Sequence, residues 1–81
     1  MSKHEKLLER LRDPQRDAAW EFADICQLLQ RLGFEMRIAG SHNFFRMAGV
    51  AEAINLQPQG GQAKGYQVRQ ARKVLQQNHL L

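Results

Sequence analysis

The sequence predicts an α+β fold, a three-stranded antiparallel sheet with helices packed on one face and an extra helix at the N-terminus. Three observations predict it. Ile25, Leu28, Leu29 and Leu32 recur at i, i+3, i+4 and i+7, the stripe of an amphipathic helix. Glu35-Met36-Arg37-Ile38 and Asn43-Phe44-Phe45-Arg46 flank Gly40-Ser41-His42, which reads as strand, tight turn, strand. Val68, Ala71 and Leu75 set a further apolar stripe near the C-terminus. Helices and strands in separate runs, rather than in alternation, point to α+β architecture.

The elements follow in order. Leu7, Leu8 and Leu11 predict a short helix over 3–12, which is marginal alone and needs packing. Asp13-Pro14 ends it, because the residue before proline is pushed out of the helical region. Residues 15–22 connect, with Trp20 and Phe22 as anchors to the core. The helix over 23–32 has Asp24 near its start and Arg31 near its end, as the helix dipole favours, and Gly33 where a left-handed residue is wanted. Phe34, Met36 and Ile38 then alternate with Glu35 and Arg37 as in a half-buried strand. In the second strand, 42–47, His42, Phe44 and Arg46 share one face, and Asn43, Phe45 and Met47 the other. One of Phe44 and Phe45 is therefore free to meet a partner. Ile54–Gln57 is a short third strand, and 58–65, with no apolar pattern, a flexible loop. The last helix covers 66–78, with Tyr66, Arg69 and Lys73 opposite its buried side and Arg72 flanking that side.

A chain of 81 residues forms one domain with a small core, so a surface site, or one completed by a partner, fits better than a deep cavity. The net charge of +4 is uneven. Residues 1–32 balance six Lys/Arg against six Asp/Glu, whereas no acidic side chain follows Glu52. This asymmetry suggests a polyanion partner, RNA or DNA above all. The single cysteine, Cys26, reads as a small buried hydrophobe. No apolar run is long enough to span a membrane, and the charged start is unlike a signal peptide, so the expected compartment is the cytoplasm.

His42 is the candidate for chemistry. Histidine is the residue type suited to both taking and giving a proton, and a strand beginning at a glycine turn would hold this one rigidly yet within reach of a large substrate. His4 and His79 lie near the ends and carry no expected role. The histidines and cysteine lack metal-ligand spacing, Gly60-Gly61 is not followed by a phosphate-binding Lys-Ser/Thr, and there is no Gly-x-Ser-x-Gly elbow.

The order of these signals resembles the HicA-like toxins of bacterial type II toxin–antitoxin systems. A leucine-rich helix ends in Leu32-Gly33-Phe34, and Gly40-Ser41-His42 opens the second strand. Asn55-Leu56-Gln57 and Ala63-Lys64-Gly65-Tyr66-Gln67-Val68-Arg69-Gln70 follow, and a basic helix closes the chain. The resemblance covers residues 22–81, with 1–21 as N-terminal helix and connector. It implies a fold like the double-stranded-RNA-binding domain, His42 as catalytic residue, and metal-independent endonucleolytic cleavage of mRNA that arrests translation. It also implies a HicB-type antitoxin as natural partner and no metal or organic cofactor. The sequence departs from the family in two places. Gln59 stands where many relatives have a second histidine, and Gly65 where many have proline.

Under that resemblance RNA supplies its own nucleophile, the ribose 2′-hydroxyl. His42 would act as its base, or as the acid for the leaving 5′ oxygen, and Lys64, Tyr66 or water would fill the other role. Gly40, Ser41, Lys64, Tyr66, Arg69, Arg72 and Lys73 form the expected RNA-contacting set, with Arg69, Arg72 and Lys73 on phosphates. Tyr66, Phe44 or Phe45 would stack on an unpaired base. Two alternatives stay open at this point: an RNA-binding module that does not cleave, and an inactive homologue that only binds an antitoxin.

Overall fold

The computed structural model describes residues 2–81. Helix α1 (Lys3–Arg12) begins at the N-cap Ser2, whose Oγ accepts from the Glu5 backbone N–H and donates to the Glu5 carboxylate. Asp13 ends it, and its carboxylate accepts from Gln15 N–H to start a 3₁₀ turn over Pro14–Arg16. The connector then folds inward. Trp20 is fully buried, donates from Nε1 to the Arg16 carbonyl, and lies under the Arg10 guanidinium at 4.5 Å.

Helix α2 (Phe22–Leu32) buries Ile25, Cys26, Leu28 and Leu29. It stops at Gly33, whose φ of +112° is closed to side-chain-bearing residues; Phe34 N–H bonds back to the Leu29 carbonyl. Strands β1 (Glu35–Ala39), β2 (His42–Arg46) and β3 (Ile54–Leu56) form one antiparallel sheet in the order β1-β2-β3. Glu35 faces Arg46, Met36 faces Phe45, Arg37 faces Phe44 and Ala39 faces His42; Phe44 also faces Asn55. The last helix, α3 (Gly65–Gln77), buries Gln67, Val68, Ala71, Arg72 and Leu75. Phe45, Ile54 and Leu56 point from the sheet into the same core as α2 and α3, so the opposite sheet face is open. Leu7, Leu11 and Trp20 join that core, so residues 2–21 pack on the rest rather than standing apart. No helix of the described residues is long and apolar enough to cross a membrane.

Three expectations change. Strand β1 is not half-buried: all five of its residues are exposed. Met36 and Ile38 do point to the core side, opposite Phe45 and Asn43, but β1 is a sheet edge that no helix covers, and Ile38 is 67% exposed. Only Phe34, just before the strand, is buried. Secondly, residues 58–65 are not a loose loop. Strands β4 (Pro58–Gln59) and β5 (Gln62–Ala63) form a tight hairpin around Gly60 and Gly61, both at positive φ as a type I′ turn requires. Phe22 N–H donates to the Gly61 carbonyl and Ala63 N–H to the Trp20 carbonyl, which clips the hairpin to the start of α2. Thirdly, Arg72 does not flank the buried stripe but belongs to it. Its guanidinium makes a two-pronged ion pair with the buried Asp17 carboxylate at 2.6 and 3.0 Å and reaches the Leu11 carbonyl at 3.4 Å. The hydrogen bond to Asp17 raises the Arg72 pKa above its ordinary value. The guanidinium is therefore committed to the interior and is not placed to hold a phosphate.

Cys26 is buried on α2, and desolvation pushes its thiol from an ordinary 9.0 up to about 11. At pH 8 iodoacetamide should alkylate the native chain far more slowly than the denaturant-unfolded chain, since the thiolate is the nucleophile. The linkage has a definite sign. Below pH 9 both states hold the proton and the contribution is complete; between about 9 and 11 only the unfolded state ionises, so stability falls as pH rises through that window. A Cys26→Ala variant should lose less stability between pH 8 and 11 than the wild type, as read from urea midpoints.

Candidate functional site

The site forms where the open sheet face meets the start of α3. A two-residue turn, Gly40-Ser41, joins β1 to β2; Gly40 has φ +61° and Ser41 does not, the pattern of a type II′ hairpin. The turn hands the chain to β2 with His42 on the open face, half-buried. Strand alternation puts Phe44 on that face as well, and its ring stacks on the imidazole with centroids 5.8 Å apart and planes 15° apart. Phe45 points the other way and is fully buried, which leaves Phe44 as the aromatic of the pair open to a partner.

Two side chains from the third strand and its extension hold the imidazole. Asn55 Oδ1 lies 3.2 Å from His42 Nδ1, and Gln57 Nε2 lies 3.1 Å from His42 Nε2. The pattern is complete when Nδ1 carries the proton and donates to Asn55 while Nε2 accepts from the Gln57 amide. The Gln57 amide is fixed in turn. Lys64 Nζ donates to its Oε1 at 3.2 Å, and its Nε2 also lies 3.4 Å from Ser41 Oγ. The Gln57 backbone N–H donates to Oε1 of buried Gln67 at 2.7 Å, and Gln67 Nε2 reaches Tyr66 OH at 3.4 Å. The result is a continuous chain of groups, Asn55–His42–Gln57–Lys64, with Gln67 and Tyr66 tied to it from α3. The β4–β5 hairpin makes this possible, because it folds residues 58–63 back on themselves and returns Lys64 to Gln57.

Of the residues singled out from sequence, the structure brings Ser41, His42 and Lys64 together through Gln57, with Gly40 supplying the turn and Tyr66 linked through Gln67. Arg69 and Lys73 are exposed on the outer side of α3, beyond Tyr66, with no hydrogen bond to the cluster. Arg72 faces the interior. Gln59 is exposed in β4 opposite Gln62, so the amide that touches His42 is Gln57, two residues earlier. Asn55, Gln57 and Gln67 join the cluster without a sequence signal for a role there. Asn55 and Gln57 sit at i and i+2 around apolar Leu56, which is a legible strand signal; that they reach His42 follows only from the strand register.

Chemically, the arrangement presents an imidazole whose Nδ1 is held by Asn55 and whose Nε2 accepts from the Gln57 amide. An ammonium stands one side chain away, and stacking surface lies beside the ring. Among the described residues no group of three or more His, Cys, Asp or Glu is placed to hold a metal ion. Comparison with protein-family models, with curated proteins and with solved structures finds no match to this chain.

Proposed function

We propose that the chain is a ribonuclease toxin of the HicA-like type, with a fold like the double-stranded-RNA-binding domain, mRNA as substrate and a HicB-type antitoxin as its neutralising partner in the cytoplasm. The observation that carries the reading is His42. It sits on the open sheet face with Nδ1 anchored on Asn55, so that Nε2 is the basic nitrogen, and Lys64 holds the far end of the Gln57 amide that meets it. In the proposed reaction the ribose 2′-hydroxyl takes the place of the Gln57 amide at Nε2 and loses its proton there as the 2′ oxygen attacks phosphorus. Lys64, released from Gln57, offsets the negative charge that develops on the phosphoryl oxygens. Water or Tyr66 protonates the departing 5′ oxygen. Lys64, Arg69 and Lys73, in a stretch with no acidic side chain beyond Glu52, support a polyanion as the ligand.

Induced expression in a bacterial host tests this reading: the wild-type chain should arrest growth and fragment mRNA, and co-expression of a HicB-type antitoxin should relieve both. Asn55 gives a finer check as a positioning residue. Asn55→Ala removes the Nδ1 acceptor and should lower the cleavage rate by roughly 10- to 100-fold, by analogy with the outer partners that orient metal-bound histidines. Asn55→Asp keeps an acceptor and should restore most of the rate.

A second reading, RNA binding without cleavage, is favoured by one observation, the occupation of His42 Nε2 by Gln57. Under it, RNA binds with ordinary salt dependence and is never cut.

A further inference from the structure

Beside His42 the open sheet face carries a depression of about 310 Å³, lined by Glu35, Arg37, Phe44 and Arg46. This is near the lower end of small-ligand sites, roughly 300–1,000 Å³. Its position follows from the sheet register. Glu35 and Arg46 face each other, Arg37 faces Phe44, and all four residues alternate onto the open face. Phe44 is also the ring stacked on His42. Ion pairs among the described residues are Lys3–Asp24 and Arg72–Asp17, so none of Glu35, Arg37 and Arg46 is engaged in one, even where carboxylate and guanidinium are cross-strand neighbours. One aromatic face ringed by two unpaired cations and one unpaired carboxylate calls for a ligand that is flat, anionic overall, and equipped with N–H donors.

We infer that this depression is a nucleobase subsite for an unpaired guanine of the RNA, with Phe44 as its stacking platform, Glu35 accepting from the guanine Watson–Crick edge, and Arg37 and Arg46 holding the adjoining phosphate. The inference rests on the ribonuclease reading and adds a base preference to it. Each part is chosen by chemistry. Guanine alone among the four bases presents two adjacent donors, N1–H and the N2 amino group, to a carboxylate. Adenine and cytosine each pair one amino donor with a ring acceptor that a carboxylate repels, and uracil has a single N–H between two carbonyls. An arginine-bearing peptide would stack equally well on Phe44 but would bring a third guanidinium beside two. An acidic peptide would set its carboxylates against Glu35. A nucleotide satisfies both signs. Bases splayed on aromatic rings and read at their Watson–Crick edges are the usual mode of single-stranded RNA recognition.

The test is titration of the full ¹⁵N-labelled chain with GMP, AMP, CMP and UMP, followed by amide shifts, together with mapping of cut sites in a defined RNA by the unlabelled chain. The expected result is that GMP shifts the β1 and β2 amides around Glu35 and Phe44 and binds about tenfold more tightly than AMP. Cuts should fall at a constant distance from G. Glu35→Gln, at an exposed position that leaves the fold intact, should bring the GMP-to-AMP ratio close to one. Phe44→Ala should weaken both nucleotides about tenfold or more, and Phe44→Leu, which retains the bulk against His42, should also lose the stacking. Equal binding of all four nucleotides, shifts confined to Lys64–Tyr66, or an arginine-rich peptide that shifts these strands where GMP does not would each overturn the subsite. RNA cut with no G preference and no GMP shift removes the subsite and leaves the ribonuclease reading standing. GMP binding at β1 and β2 with no cleavage under any condition removes the cleavage reading and leaves the subsite.

Discussion

His42→Ala is expected to reduce RNA cleavage by about 100- to 10,000-fold, the usual contribution of a positioned general acid or base, while the chain stays folded. The two effects separate because of where the ring sits. It is half-buried on the open face, and its truncation frees Asn55 and Gln57 to bond water. Net hydrogen-bond contributions are roughly 0.5–1.5 kcal/mol each. Two such bonds total about 1–3 kcal/mol, or about 4–24 °C in melting temperature for a domain this size, which is less than the roughly 4–12 kcal/mol that 81 residues supply in all. Circular dichroism and thermal melts, run beside cleavage assays on one preparation, check both halves. The truncated chain should still bind RNA, because the exposed cations remain.

Arg72→Ala is expected to cost about 3–5 kcal/mol of stability, the scale for removing one partner of a buried ion pair. The Asp17 carboxylate would be left uncompensated in the interior, and the Leu11 carbonyl would lose a donor. A domain of 81 residues has roughly 4–12 kcal/mol in all, so the variant should melt tens of degrees lower or fail to fold. Asp17→Leu with Arg72→Met removes both charges and should recover most of the loss, since well-packed apolar replacements of a buried pair are often neutral or better. That double variant also settles the role of Arg72. If the guanidinium is structural, the salt dependence of RNA binding will match wild type. Loss of the exposed cations Arg69 and Lys73 should instead flatten the salt dependence, by about one unit of slope per phosphate contact. The raised Arg72 pKa keeps the cation charged in the fold: its contribution is complete below the ordinary value and is lost only as pH climbs through the higher folded one, so ordinary alkaline buffers leave the pair intact.

The residues that seed this fold are legible in the chain, and those that complete the site are less so. The α2 stripe and Gly33 read directly because helical period and a left-handed stop are local properties. The turn is legible from its glycine, expected over Ala39–Ser41 and found over Gly40-Ser41 with Ala39 closing β1, and the opposite facing of Phe44 and Phe45 follows from strand alternation. Met36 and Ile38 mislead because alternation reports which way a side chain points, not whether a helix covers that part of the sheet. The β4–β5 hairpin escapes notice because its strands are two residues long and mostly polar, although Gly60-Gly61 is itself a hairpin signal. Arg72 stands four residues after Val68 and next to Ala71, inside the buried arc, but its partner Asp17 is 55 positions away and no periodicity joins them. Gln57 and Lys64 meet through that same unrecognised hairpin, so the contact that completes the His42 cluster depends on tertiary closure.

The measurement that bears most directly on the central claim is an end-group analysis of one defined RNA incubated with the purified chain in EDTA. Wild type should yield fragments ending in 2′,3′-cyclic phosphate and 5′-hydroxyl. Cleavage should cease where the ribose at the cut carries a 2′-O-methyl group, and His42→Ala should yield no fragments above background. Intact RNA after incubation with well-folded wild type, or undiminished cleavage by His42→Ala, would contradict the account.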